Sequence, residues 1–181
     1  VGSAKTTAGD IRIQAGSVKG AAKGGHVDIK SGFGTATSSG NVLLRSANAG
    51  SSGVSGHVVV RSGNTSSSSR SGTINLATGS SSSSATAGDI RIAVGKSAQA
   101  SGGSLHLSGG TSSTTTGGQI NLESGSGGLN SNSGLVTIQT KSNMGGGSGV
   151  LNMATGLAQG MTSGAINMST GRSTVQSGHM M

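Results

Sequence analysis

Asp10, Asp28, Asp89 and Glu123 are the only acidic side chains in 181 residues. Acid–base catalysis by carboxylates requires two of them to converge on one reacting bond. Asp10 and Asp89 occupy equivalent positions five repeats apart, and Asp28 falls at the position of Arg12 one repeat later, which suits a surface ion pair better than a catalytic dyad. His26 and His57 share a repeat position two repeats apart, about 9.6 Å in a stack of parallel strands, too far to hold one metal ion. His106 stands at a different repeat position and His179 near the end of the sequence. The chain has no cysteine, so thiolate chemistry and disulfides are excluded. Serine is abundant, yet no Ser/His/Asp trio is placed to activate one, and the calcium-binding β-roll nonapeptide is absent. These residues give no catalytic group, no metal-ligand set and no cofactor motif, and the chain reads as a non-enzyme.

The cations are more suggestive. Lys and Arg number 12 against 4 Asp and Glu, a formal charge of +8, which favours an anionic partner. Lys30, Arg45 and Arg61 recur at one outward position in three successive repeats. Such a column would grip a polyanion such as an acidic polysaccharide, or serve as a charged edge that keeps a sheet soluble. Nucleic acid is a poor fit, because Phe33 is the only aromatic and nothing stands ready to stack on bases. Asn64-Thr65-Ser66 and Asn167-Met168-Ser169 match the N-glycosylation sequon, which makes Asn64 and Asn167 candidate glycan acceptors.

These residues are positioned by a repeat. Gly9-Asp10-Ile11-Arg12-Ile13-Gln14-Ala15-Gly16 is its template, and the glycine that opens each copy returns at Gly25, Gly40, Gly56, Gly72, Gly88, Gly103, Gly118, Gly134, Gly149, Gly164 and Gly178, at gaps of 14 to 16 residues. The second and fourth residues after each opening glycine are apolar, as in Ile11/Ile13, Val27/Ile29, Val58/Val60, Ile74/Leu76, Ile90/Ile92 and Ile120/Leu122, which are expected to form the core. Alternation with period two and β-branched residues predicts a strand with one buried face. The other half of each repeat is mostly polar and small, with Ala, Gly or Ser always directly before the opening glycine and larger inward residues only late, at Met161 and Val175. Together these predict an all-β fold, a parallel β-solenoid (β-helix) of 15–16 residues per coil and about 11–12 coils, whose thin two-sided core sets an aliphatic sheet against a Ser/Ala/Gly sheet.

Residues 1–181 read as a single uncapped repeat domain without a linker, and an excerpt of a longer repeat protein, since Val1-Gly2 matches a closing pair and Gly178 opens a further copy. No apolar run approaches the ~18 residues of a membrane span. Threonine-bearing solenoids of this coil size also occur among ice-binding proteins, and Thr78, Thr140, Thr155 and Thr170 form a threonine column. Their parity with the aliphatics, however, turns them inward rather than toward ice.

Ser71-Gly72-Thr-Ile-Asn-Leu-Ala-Thr-Gly79 and Gly117-Gly118-Gln-Ile-Asn-Leu-Glu-Ser-Gly125 carry a resemblance to the glycine-bracketed repeats of very large secreted proteins of microalgae and oomycetes. More loosely, they are similar to filamentous-haemagglutinin-type adhesin repeats. The resemblance implies an extracellular structural or adhesive role and supplies no catalytic residue. The expectation is therefore a structural segment of a filament, surface appendage or adhesin that associates with its own kind, with an acidic polysaccharide as a further possible partner.

Overall fold

The computed structural model describes residues 8–66, 68–82, 84–173 and 178. Among them there is neither a strand nor a helix, so the expected parallel β-solenoid, or β-helix, is corrected to a coil-rich fold. A solenoid requires an unbroken N–H···O=C ladder from coil to coil, and no such ladder is formed among the described residues.

The expected core is corrected with it. Ile11, Ile13, Val27, Ile29, Val58, Val60, Ile74, Leu76, Ile90, Ile92, Ile120 and Leu122 are all exposed, and no described residue is buried. Val60 shows the failure well: its place in the alternation predicts an inward side chain, yet it is 66 % exposed, and its partner Val58 is 51 % exposed. With no neighbouring coil laddered against the segment, nothing covers the apolar side. The reason is compositional. With 36 glycines, 1 Phe and no Trp or Tyr, each repeat offers two aliphatic side chains against the ordering entropy of a chain in which glycine has the most freedom to lose.

The 15-to-16-residue period nevertheless survives in the structure. In the unit Val1–Arg91 the backbone bends sharply at 19–22, 35–37, 51–53, 66 and 68–69, and 84–85, once in the polar half of each repeat. In the unit Ile92–Met181 it does so at 98–100, 113–115, 129–130, 144–146 and 159–161. The division at Arg91 and Ile92 falls inside the aliphatic segment that Gly88 opens.

Each bend lets the chain return on itself. In the first unit Gly25 N–H donates to Gly16 O at 2.9 Å and Gly40 N–H to Gly32 O at 3.0 Å. In the second, Gly118 donates to Gly110 at 2.8 Å and Gly134 to Gly125 at 2.9 Å. The glycine that opens one repeat thus meets the glycine that closes the previous one, and the polar half between them becomes a closed loop of the Ω kind. We call this meeting point the neck.

Contacts at the neck explain why small residues sit there. A methyl group at Gly25 would lie 3.3 Å from both Ala15 Cβ and Gly16 N, and one at Gly118 would lie 3.0 Å from Gly110 N. Elsewhere the opening glycine faces the residue that precedes the closing position, as Gly56 faces Ser46, Gly72 faces Ser62, Gly88 faces Thr78 and Gly149 faces Thr140. Some neck positions are partly covered, as are Gly34, Ser97 and Ala158 in the loops. Ala15, Ser31, Ser46, Ser62 and Gly109 are half-buried, whereas the aliphatics are exposed.

Between necks the chain keeps the side-to-side alternation expected of extended backbone. Asn121 Nδ2 donates to Glu123 Oε1 at 2.9 Å, which places residues two apart on one side. On the other side, the aliphatic nearer the neck is the less exposed of each pair: 52 % for Val27 against 70 % for Ile29, and 56 % for Ile120 against 68 % for Leu122. Only Ile11 and Ile13 reverse this order among the described pairs.

Short side chains pin the loops. Ser112 Oγ accepts from Thr115 N at 2.9 Å and from Thr114 N at 3.4 Å, and its hydroxyl pairs with Thr115 Oγ1 at 2.9 Å. Ser97 Oγ accepts from Ala100 N at 3.1 Å. These are Ser/Thr turns that substitute a hydroxyl for a backbone partner. At 128–131 the loop closes as a β-turn, with Ser131 N–H donating to Gly128 O at 3.1 Å and Asn130 at φ 62°. Asparagine is among the few non-glycine residues that tolerate that region.

The neck yields a direct test. Gly118→Ala should speed amide exchange at residue 118 about fivefold, the effect of losing one hydrogen bond worth about 1 kcal/mol. Gly125→Ala, where an added methyl meets nothing within 4 Å, should leave exchange at Gly134 unchanged. At the turn, Asn130→Gly should be tolerated, while Asn130→Val should disfavour it by about 1–2 kcal/mol, visible as loss of the Ser131 amide's protection.

Candidate functional site

Lys30, Arg45 and Arg61 each stand one residue before a neck. Ser31, Ser46 and Ser62 follow them, are half-buried, and lie close to Gly40, Gly56 and Gly72: a methyl there would be 3.5, 3.4 and 3.3 Å from the respective serine Cβ. Each cation is thus mounted beside a neck, which at Lys30 carries the Gly40–Gly32 backbone hydrogen bond, while the cation itself is exposed. A continuous basic column depended on strands stacked ~4.8 Å apart, and the described residues form no such stack.

The structure gives each arginine a recess of its own instead. Arg45, Ser46, Ala47 and Asn48 line one of about 400 Å³, and Arg61, Ser62, Gly63 and Asn64 line another of about 150 Å³. The two are built from the same four positions, 16 residues apart in sequence. At the equivalent place Lys30 is followed by Ser31, Gly32 and Phe33. Asn48, and Asn64 in this role, escape a reading that follows the strand pattern and stops at the closing glycine. The signal that finds them is the recurrence of Arg-Ser-small-Asn.

The electrostatics around the recesses are one-signed. Between Asp28 and Asp89 lie 60 residues without a single carboxylate, and they carry Lys30, Arg45, Arg61 and Arg70. Neither arginine has an acidic neighbour along its own stretch of chain.

The remaining candidates stay dispersed. Asp10, Asp28, Asp89, His26, His57 and His106 are exposed, and Glu123 accepts only the bond from Asn121. Among the described residues no group of three or more His, Cys, Asp or Glu is placed to hold a metal ion. Asn64 is exposed at the rim of the second recess, so a glycan on it would occupy that recess. Asn167 is exposed between Ile166 and Met168. His179 lies outside the described residues.

The threonine column has a structural place. A methyl at Gly88, Gly149, Gly164 or Gly178 would lie 3.6–3.8 Å from Cγ2 of Thr78, Thr140, Thr155 or Thr170 respectively. These threonines are thus set against the neck glycines, each in its own repeat.

No protein-family model, curated protein or solved structure matches the chain. Among the described residues no helix is long and apolar enough to cross a membrane.

Because each of these threonines is set against its own neck glycine and the described residues form no sheet to array them, the purified chain is expected to show no thermal hysteresis. Measurement of the freezing-point gap in the presence of seed ice checks this, and a clear gap would mean that the threonines act as a surface.

Proposed function

We propose that the chain is a structural segment of an extracellular filament, surface appendage or adhesin, and that its aliphatic faces are covered by neighbouring copies packed side by side or end to end. One observation carries this reading: the aliphatics that recur in every repeat are exposed in the isolated chain, at 48 % for Ile90 and up to 76 % for Ile11. The accessible surface is 18548 Å² for 17.1 kDa. A folded monomer of that mass exposes about 7,800 Å² and its unfolded chain about 25,000 Å². The excess over the folded value is about 10,000 Å², several times the ~1,200–2,000 Å² that a specific protein–protein interface buries.

Exposed aliphatic side chains repeated at a fixed interval are what lateral association needs. Exposed contiguous apolar surface marks interaction sites, and a fixed period lets one contact be reproduced along the whole chain. The small residues at the necks keep bulky groups out of the way of close approach there. A mechanical role of this kind uses no catalytic residue. The secreted setting rests on the likeness of the repeats to those of large secreted microalgal and oomycete proteins.

The expected behaviour is concentration-dependent assembly, measured by sedimentation velocity and by electron microscopy of the same samples. Ile74→Asp with Leu76→Asp should weaken it at least about tenfold, since each charge would have to be desolvated in the contact. A chain that remains a single monodisperse species at every concentration would overturn the proposal.

A further inference from the structure

We infer that the paired recesses at Arg45/Asn48 and Arg61/Asn64 bind a linear acidic polysaccharide, one acidic sugar to each recess. This goes beyond the assembly reading and does not rest on it.

The chemistry of each recess is specific. A guanidinium presents a planar fork of N–H donors that matches the two oxygens of a carboxylate or sulfate group. Three residues on, an asparagine side chain supplies two N–H donors and a carbonyl acceptor, the complement of sugar hydroxyls. Between them stand a half-buried serine and one alanine or glycine, which leave space instead of filling it. The serine Cβ lies against the opposing neck glycine, Ser46 at Gly56 and Ser62 at Gly72. Donor and acceptor groups therefore flank a half-buried serine set against the neck glycine.

Repetition selects the ligand. The same Arg-Ser-small-Asn set occurs in two consecutive repeats, within 60 residues that hold no carboxylate to neutralise it. A lone oxyanion would satisfy the arginine and leave the asparagine and most of the recess unused. A polymer that carries an acidic group at regular intervals engages both recesses, and the second contact is intramolecular and gains from effective concentration. Nucleic acid shares the charge but has no aromatic platform here, since Phe33 is the only aromatic in the chain.

The test uses the whole chain, made in a host that does not N-glycosylate so that Asn64 is bare, at concentrations where it does not self-associate. Calorimetric titration with dextran sulfate and polygalacturonate, with neutral dextran and single-stranded poly(dT) as comparisons, reads the affinities. At least one acidic polysaccharide should bind, neutral dextran should not, and poly(dT) should bind more weakly. Arg45→Gln with Arg61→Gln should weaken binding by about tenfold or more, as the loss of charge-assisted bidentate contacts implies. Asn48→Ala with Asn64→Ala should weaken it several-fold without any change in charge. Lys19→Gln with Lys141→Gln, which removes the same charge elsewhere, should change it by under about twofold. Equal losses in the two charge-removing variants, an unaffected asparagine variant, tighter binding of poly(dT), or no binding of either acidic polysaccharide would each overturn the inference.

Discussion

The structure hangs on one short contact: a glycine that opens a repeat, pressed against the small residue or glycine that closes the one before. At Gly25, Gly40, Gly118 and Gly134 the contact carries a backbone hydrogen bond of 2.8–3.0 Å. Backbones come this close only where no large side chain intervenes, which is why Ala15, Ser31, Ser46, Ser62 and Gly109 hold the opposing place. A bond of this kind closes a loop of seven or eight intervening residues, and the entropic cost of such closure rises only slowly with loop length. The polar segments can therefore differ in composition, from Ser80-Ser81-Ser82 to Ala98-Gln99-Ala100, while the neck repeats.

Much of this arrangement is legible in the amino-acid order. The glycine positions give the period, and the structure bends once in every polar half at that period. The alternation of the aliphatic segments is seen in the Asn121–Glu123 bond between residues two apart. Thr78 and Thr140, expected to turn into a core, stay exposed and lie near Gly88 and Gly149 instead. What alternation could not reveal is the nature of the cover. A pattern such as Ile74-Asn75-Leu76 states that one side is apolar; it does not state that the same chain supplies the surface that meets it. The solenoid follows only if that surface is assumed to be the next turn of the chain. The exposure of Val58, Val60, Ile74 and Leu76, in two consecutive repeats, shows that assumption to be the failing step.

The basic residues follow the same logic. Lys30, Arg45 and Arg61 were legible as one column because the period aligns them, but a column implies a ladder. Without the ladder, each cation belongs to its own neck and to the residues that follow it in sequence. Arg45 is then best grouped with Asn48 and Arg61 with Asn64. Local chain order thus replaces cross-strand order as the rule that brings side chains together. Lys30, with Phe33 in place of the asparagine, marks how far the four-residue set extends.

Separating order from burial has a physical consequence. In a globular domain the same apolar contacts that stabilise the fold also fix its functional groups, so neither can change freely. In this chain the necks rest on backbone hydrogen bonds and contacts among Gly, Ala, Ser and Thr, with Val94 against Gly103 the exception, and the alternating aliphatics contribute little cover to them. The aliphatic side is left to meet other surfaces, and the outward residues just before and after each neck can vary without disturbing it. Glutamate at 123, arginine at 61 and alanine at 77 occupy the same place relative to their opening glycines. Chemical identity along the chain is set at such positions, one repeat at a time, and it is there that a repeat with Arg-Ser-Gly-Asn differs from one with Ala-Thr-Gly-Ser.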